Sequence, residues 1–141
     1  MKSLLLTLLF LLPIPSPLAQ EKGTVYVYMP THKKMLTRIA PSIYCDDVKI
    51  AEIPGGRYFK VRLEPGSHTF RSKDKKRGGV EIEVKSGETY YLRVKLDADG
   101  YFLRFDGIEL VPPENGRFDV KQMKPLSSKD AKSSLVEFDE R

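Results

Sequence analysis

The stretch Val80-Glu81-Ile82-Glu83-Val84-Lys85-Ser86-Gly87-Glu88-Thr89-Tyr90-Tyr91-Leu92-Arg93-Val94-Lys95-Leu96 decides the fold class. Val80, Ile82 and Val84 alternate with Glu81, Glu83 and Lys85. After Ser86-Gly87-Glu88 the alternation resumes, with Tyr90, Leu92, Val94 and Leu96 set against Tyr91, Arg93 and Lys95. Successive side chains of a strand point to opposite faces, so a period of two marks a strand with one buried face. Two such strands around a glycine turn read as antiparallel neighbours. A three-residue loop from Ser86 to Glu88 keeps Val84 and Tyr90 on one face. It also sets Glu81 opposite Arg93 and Glu83 opposite Tyr91, which pairs opposite charges on the outer face.

The same pattern extends in both directions. Val25 and Val27 alternate with Tyr26 and Tyr28, and Phe59, Val61 and Leu63 with Tyr58, Lys60 and Arg62. Ile43 and Cys45, then Val48 and Ile50, mark two short strands, and a last one runs from Tyr101 to Val111 across Asp106-Gly107. Turn residues separate these runs at Pro54-Gly55-Gly56, Glu64-Pro65-Gly66-Ser67, Gly78-Gly79 and Asp97-Ala98-Asp99-Gly100. Pro65-Gly66 suits the centre of a type II turn, and Gly87 is the structural residue of its own turn. Closed as a two-residue loop, Pro65-Gly66 puts Val61 against Phe70 and Leu63 against His68 on the buried face, although type II turns splay a hairpin. The expectation is an all-β fold, an antiparallel immunoglobulin- or prealbumin-like sandwich of about seven strands over residues 23–112. Pro30 to Ala40 reads as a basic connection with one helical turn. Residues 113–126 read as a strand or a short helix packed on the sheet through Phe118, Val120 and Met123, and residues 127–141 as a flexible tail.

The first nineteen residues read as a cleaved secretory signal: Lys2 supplies a positive start, Leu4 to Leu12 an apolar run, and prolines lead to the small Ala19. The run is far shorter than the roughly 20 residues that cross a bilayer, so no transmembrane anchor is expected. The only cysteine, Cys45, lies far from the cleavage point, so the exported chain is expected to be unlipidated, and it has no intramolecular disulfide. Secretion or a periplasmic location follows. The full sequence has 24 Lys+Arg against 19 Asp+Glu, a formal net charge of +5. That balance is too mild to point to nucleic acid.

No catalytic or cofactor motif stands out. His32 sits in a Lys-rich loop and His68 at an inward strand position after a turn, so a Cys45–His hydrolase site is the weaker reading and the chain is read as no enzyme. Asp97-Ala98-Asp99-Gly100 lacks the third acid and closing Glu of a calcium loop, and two histidines with one cysteine do not make a closed zinc site. No metal and no cofactor is expected. Two kinds of residue remain as binding candidates. Tyr26, Tyr28, Tyr58 and Tyr91 have outward parity, and a tyrosine platform can stack on a sugar or a peptide or lie under a partner, unless the C-terminal segment covers it. Lys75, Lys76 and Arg77 form a basic tip that can meet an anionic surface, or simply stay solvated.

Tyr44-Cys45-Asp46-Asp47-Val48-Lys49-Ile50-Ala51, Gly56-Arg57-Tyr58, Leu63-Glu64-Pro65-Gly66-Ser67-His68 and Ser86-Gly87-Glu88-Thr89-Tyr90-Tyr91-Leu92-Arg93-Val94 follow one another in this order. Together they resemble an uncharacterised family of bacterial secreted and lipoprotein-like β-domains, in the style of PEGA surface domains. Asp46-Asp47 stands where that family has Asp-Gly. The resemblance implies an envelope sandwich with no established activity, and no catalytic residue is carried over. The functional expectation is a non-enzymatic accessory or interaction module whose partner is an envelope protein or a cell-wall polymer. The alternative is a glycan- or peptidoglycan-binding module.

Overall fold

The computed structural model describes residues 21–31, 39–75, 78–99 and 102–138. The expected leader, His32, the Lys33-Lys34 pair, Lys76, Arg77 and the Gly100-Tyr101 tip lie outside the described residues. The described residues form an all-β sandwich of two packed sheets with one short α-helix. Sheet A holds β1 (Gly23–Met29), β4 (Arg57–Leu63), β7 (Thr89–Asp99), β8 (Phe102–Val111) and β10 (Val136–Glu137) in the order β10-β4-β1-β7-β8, with β9 (Lys124–Pro125) also on β4. Sheet B has the order β3-β2-β5-β6, from β2 (Ser42–Cys45), β3 (Val48–Glu52), β5 (Gly66–Ser72) and β6 (Val80–Val84). Between them lie the inward residues that the alternation marks, among them Val25, Val27, Phe59, Val61, Phe70, Ile82, Val84, Leu92 and Val94.

Two expected hairpins are in fact arches between the sheets. β6 pairs with β5, whereas β7 pairs with β1 in parallel and with β8. Glu81 therefore lies opposite Thr69 and Glu83 opposite Ser67, while Arg93 lies opposite Glu109. Likewise β4 belongs to sheet A and β5 to sheet B, so Pro65-Gly66 carries the chain across the sandwich and Val61 does not oppose Phe70. Alternation fixes which side chains face inward, and an arch satisfies it as well as a hairpin does. Gly66 (φ 136°) and Gly87 (φ 71°) supply backbone angles that L residues rarely adopt.

β7 runs on to Asp99, so Asp97 and Asp99, expected in a turn, are strand residues opposite Arg104 and Phe102. Asp106 is an extra residue in β8: the register passes from Lys95↔Gly107 to Leu96↔Phe105, a bulge that bends the strand. The bend brings Gly107 against Gly78, whose carbonyl accepts the Ile108 N–H at 2.9 Å.

Of the segment read from its composition as a flexible tail, Ser127 to Phe138 instead closes the opposite side. Ala131 bridges Ala51 of β3, the Lys132 N–H donates to the Ile50 carbonyl, and β10 pairs with β4. Leu126 and Val136 anchor it in the core, so two apolar side chains offset the entropy that its polar composition suggested. Among the described residues no helix is long and apolar enough to cross a membrane.

Asp46 (φ 48°) and Asp47 (φ 65°) form the two-residue loop between β2 and β3, with both residues in the left-handed region that a type I′ turn requires. Asp46 is held there by bonds described below. Asp47 Oδ1 meets Arg71 Nε at 3.0 Å and Nη2 at 2.9 Å, and its side chain is 79% exposed. With the carboxylate in solvent, the pair is expected to contribute little, even though the Arg71 side chain is only 15% exposed. Asp47→Gly is therefore expected to raise stability by about 0.5–1 kcal/mol, because glycine takes positive φ without a steric cost. Thermal unfolding checks this, and a lower midpoint than the parent's would show that the Arg71 contact outweighs the backbone strain.

Candidate functional site

The outer face of sheet A follows from its registers. Tyr58 lies opposite Tyr28, Tyr28 beside Arg93, and Arg93 opposite Glu109. The next row runs Glu137, Lys60, Tyr26, Tyr91 and Val111, and the one beyond it Arg62, Thr24 and Thr89. The four candidate tyrosines thus share one face. The Tyr26 and Tyr91 rings stack at 5.1 Å with 9° between their planes, and Tyr58 leans on Tyr26 at 6.1 Å.

The face is only partly open. α1 (Pro113–Lys121) lies across it, starting on Pro113 at its first position, where the missing N–H costs nothing. Gly116, Asp119, Val120 and Met123 recur at helical spacing and face the sheet, with Val120 and Met123 packed on the Tyr28, Tyr91 and Val111 cluster. Phe118, expected to pack there, points away and is 66% exposed, because helical rather than strand period governs this segment. Tyr28 is fully buried beneath the helix and its hydroxyl donates to Asp119 Oδ2 at 2.7 Å. Burial, then the bond to Asp119 and that carboxylate's charge, pushes the Tyr28 hydroxyl well above its usual range. Tyr28 is therefore a structural residue unavailable to a ligand, a correction to its place in the expected platform. Tyr91 is also nearly covered, at 7% exposure, whereas Tyr26 and Tyr58 stay half-buried.

Beside α1 a groove of about 420 Å³ stays open. Thr24, Tyr26, Thr89 and Tyr91 form its floor, Lys60 and Arg62 of β4 one wall, and Arg117 and Glu137 the remainder. Three cationic side chains against one carboxylate give it a positive balance. Outward parity was enough to find the tyrosines, but Arg62 and Arg117 were missed. They converge only because α1 folds back over the sheet. Of the expected basic tip, Lys75 is exposed and does not line the groove.

A second cluster lies at the end of sheet B. Cys45 is opposite Phe70, which places His68 near the Asp46 turn. His68 Nδ1 meets Asp46 Oδ2 at 2.6 Å and His68 Nε2 meets the Glu64 carbonyl at 2.7 Å. A carbonyl only accepts, so Nε2 is a donor, and Nδ1 donates to Asp46 when the ring carries its positive charge. Burial works against that charge, but the bonds to Asp46 and Glu64 and the Asp46 charge prevail and hold its pKa above the ordinary value. Asp46 Oδ1 accepts the Thr69 N–H at 2.9 Å, and the Cys45 thiol reaches Asp46 Oδ2 at 3.8 Å. Partial burial opposes the Asp46 charge, yet the bonds from Thr69 and His68 leave its carboxyl below the usual range. Burial, followed by the Asp46 charge, pushes the Cys45 thiol up to about 12. Both ring nitrogens of His68 are therefore engaged, and the Cys45 thiol lies beside a carboxylate oxygen.

Residues 19–108 match the family described as protein of unknown function DUF2846. The chain belongs to this family. The DUF2846 span takes in the groove floor, Lys60, Arg62 and the Cys45, Asp46 and His68 cluster, and it ends before α1 supplies Arg117 and β10 supplies Glu137. No curated protein and no solved structure matches the chain.

Proposed function

We propose that this DUF2846 protein is a non-catalytic binding module of the bacterial envelope, exported without a lipid anchor, that holds an acidic cell-wall polymer or glycan in the groove beside α1. The observation that carries the reading is the groove: a tyrosine-and-threonine floor flanked by Lys60, Arg62 and Arg117. Stacking rings and hydroxyls suit a sugar face, and the cations suit its carboxylate or phosphate groups. The leader-like first nineteen residues and the PEGA-like turn motifs support the envelope location. The sandwich, read as immunoglobulin- or prealbumin-like, is an ordinary scaffold for such a module.

The test is cosedimentation with purified acidic cell-wall polymer. The double variant Arg62→Glu/Arg117→Glu is expected to bind at least tenfold more weakly, with its melting temperature nearly unchanged because both side chains are exposed. Binding by the parent falls as salt rises. Equal binding by parent and variant would remove the groove from the account. The 66% exposure of Phe118 favours a second reading, a protein partner seated on the outer side of α1. That reading predicts capture of an envelope protein that depends on Phe118 and not on the two arginines.

A further inference from the structure

Cys45 Sγ, an Asp46 carboxylate oxygen and an imidazole nitrogen of His68 all lie within 4.8 Å of one another. We propose that this corner is a transition-metal site of the zinc type, with Cys45 Sγ, Asp46 Oδ2 and His68 Nδ1 as protein ligands and water in the fourth position. The inference is independent of the groove.

Thiolate, imidazole and carboxylate all belong to zinc's ligand set, at bond lengths of about 2.0–2.3 Å that place tetrahedral donor atoms about 3.3–3.6 Å apart. Sγ and Oδ2 are 3.8 Å apart, close to that spacing. Nδ1 and Oδ2, at 2.6 Å, share a proton where the metal would sit, and admitting an ion requires them to part by about 0.7 Å. The Asp46 side chain is 48% exposed, which leaves it room for this movement.

The surroundings hold each ligand ready. His68 presents Nδ1 because Nε2 donates to the Glu64 carbonyl, the kind of outer contact that fixes the ring and tautomer of a metal-binding histidine. Asp46 presents Oδ2 because Oδ1 is engaged by the Thr69 N–H. The type I′ turn sets Asp46 directly after Cys45 on the β2 end facing β5.

Charge also balances. Without metal, Nδ1 and Oδ2 share one proton, Nε2 donates to the Glu64 carbonyl, and the thiol keeps its own proton. Binding of a divalent cation releases the Nδ1 proton and the thiol proton to solvent, and the thiolate and Nδ1 lone pairs form the new bonds. Two positive charges leave as two arrive, with no change of oxidation state. A bound cation reverses the preference of a buried thiol for its protonated form.

Metal-free protein titrated with zinc chloride, and with cobalt chloride as a coloured probe, is expected to bind one equivalent and to show a thiolate-to-cobalt charge-transfer band. Cys45→Ala is expected to lose that band and bind zinc at least tenfold more weakly, and His68→Gln to show a similar weakening. X-ray absorption of the parent zinc complex needs no variant to fold and is expected to show one sulfur neighbour at about 2.3 Å. Absence of stoichiometric binding, a zinc shell of nitrogen and oxygen alone, or a charge-transfer band that survives in Cys45→Ala would each overturn the proposal.

Discussion

Gly116→Ala is expected to destabilise the protein by about 2–3 kcal/mol, although the same change in an exposed helix interior stabilises by about 1 kcal/mol. A Cβ at this position would stand 2.2 Å from Tyr91 Cβ and Cγ and 2.7 Å from Cδ1. Cβ and Cγ are the base of the ring, fixed by β7, so the neighbour cannot swing away. The helix must lift instead, which loosens Val120 and Met123 from the tyrosine cluster and strains the Tyr28 hydroxyl bond to Asp119. Lifting α1 also displaces Arg117 from the groove, so polymer binding is expected to weaken together with stability. Urea unfolding of the variant measures the first effect. A variant as stable as the parent or more so would mean that α1 does not pack on Tyr91 as described.

Phe70→Ala is expected to cost about 3–5 kcal/mol, the largest effect of any substitution considered. Phe70 is fully buried, sits in β5 between Cys45 of β2 and Val80 of β6, and fills the sandwich where the sheets face each other. Its loss removes a large apolar surface from the core and leaves a cavity that two paired strands cannot close. A domain of this size has roughly 5–15 kcal/mol of stability in all, so partial unfolding near body temperature is a realistic outcome. The Cys45, Asp46 and His68 corner adjoins Phe70 through the β2–β5 pairing, so metal binding is expected to weaken as well. A loss below about 1 kcal/mol in urea unfolding would contradict a packed core at this position.

The sheet faces were legible because each strand carries its apolar residues at period two. Val25, Phe59, Val61, Leu92 and Val94 all point inward, as that period requires. Strand pairing was not legible. The parallel β1–β7 contact joins residues more than sixty positions apart, and nothing local in Ser86-Gly87-Glu88 separates an arch from a hairpin. The same gap hid both candidate sites. His68 and Asp46 meet only through the β2–β5 pairing, and Arg117 joins Arg62 only once α1 folds over β7. The final segment was misjudged because Ser, Lys and Asp dominate its composition. Its placement rests on Leu126 and Val136 and on main-chain bonds that composition does not reveal.

The groove beside α1 is the proposed ligand site, and an NMR titration of isotope-labelled protein with soluble acidic cell-wall fragments examines it residue by residue. Saturable shifts are expected for the amides of Thr24, Tyr26, Thr89 and Arg117, with Lys73 and Lys75 unmoved. Shifts confined to the Lys73–Lys75 loop or to the surroundings of Phe118, or no saturable shift at all, would contradict it.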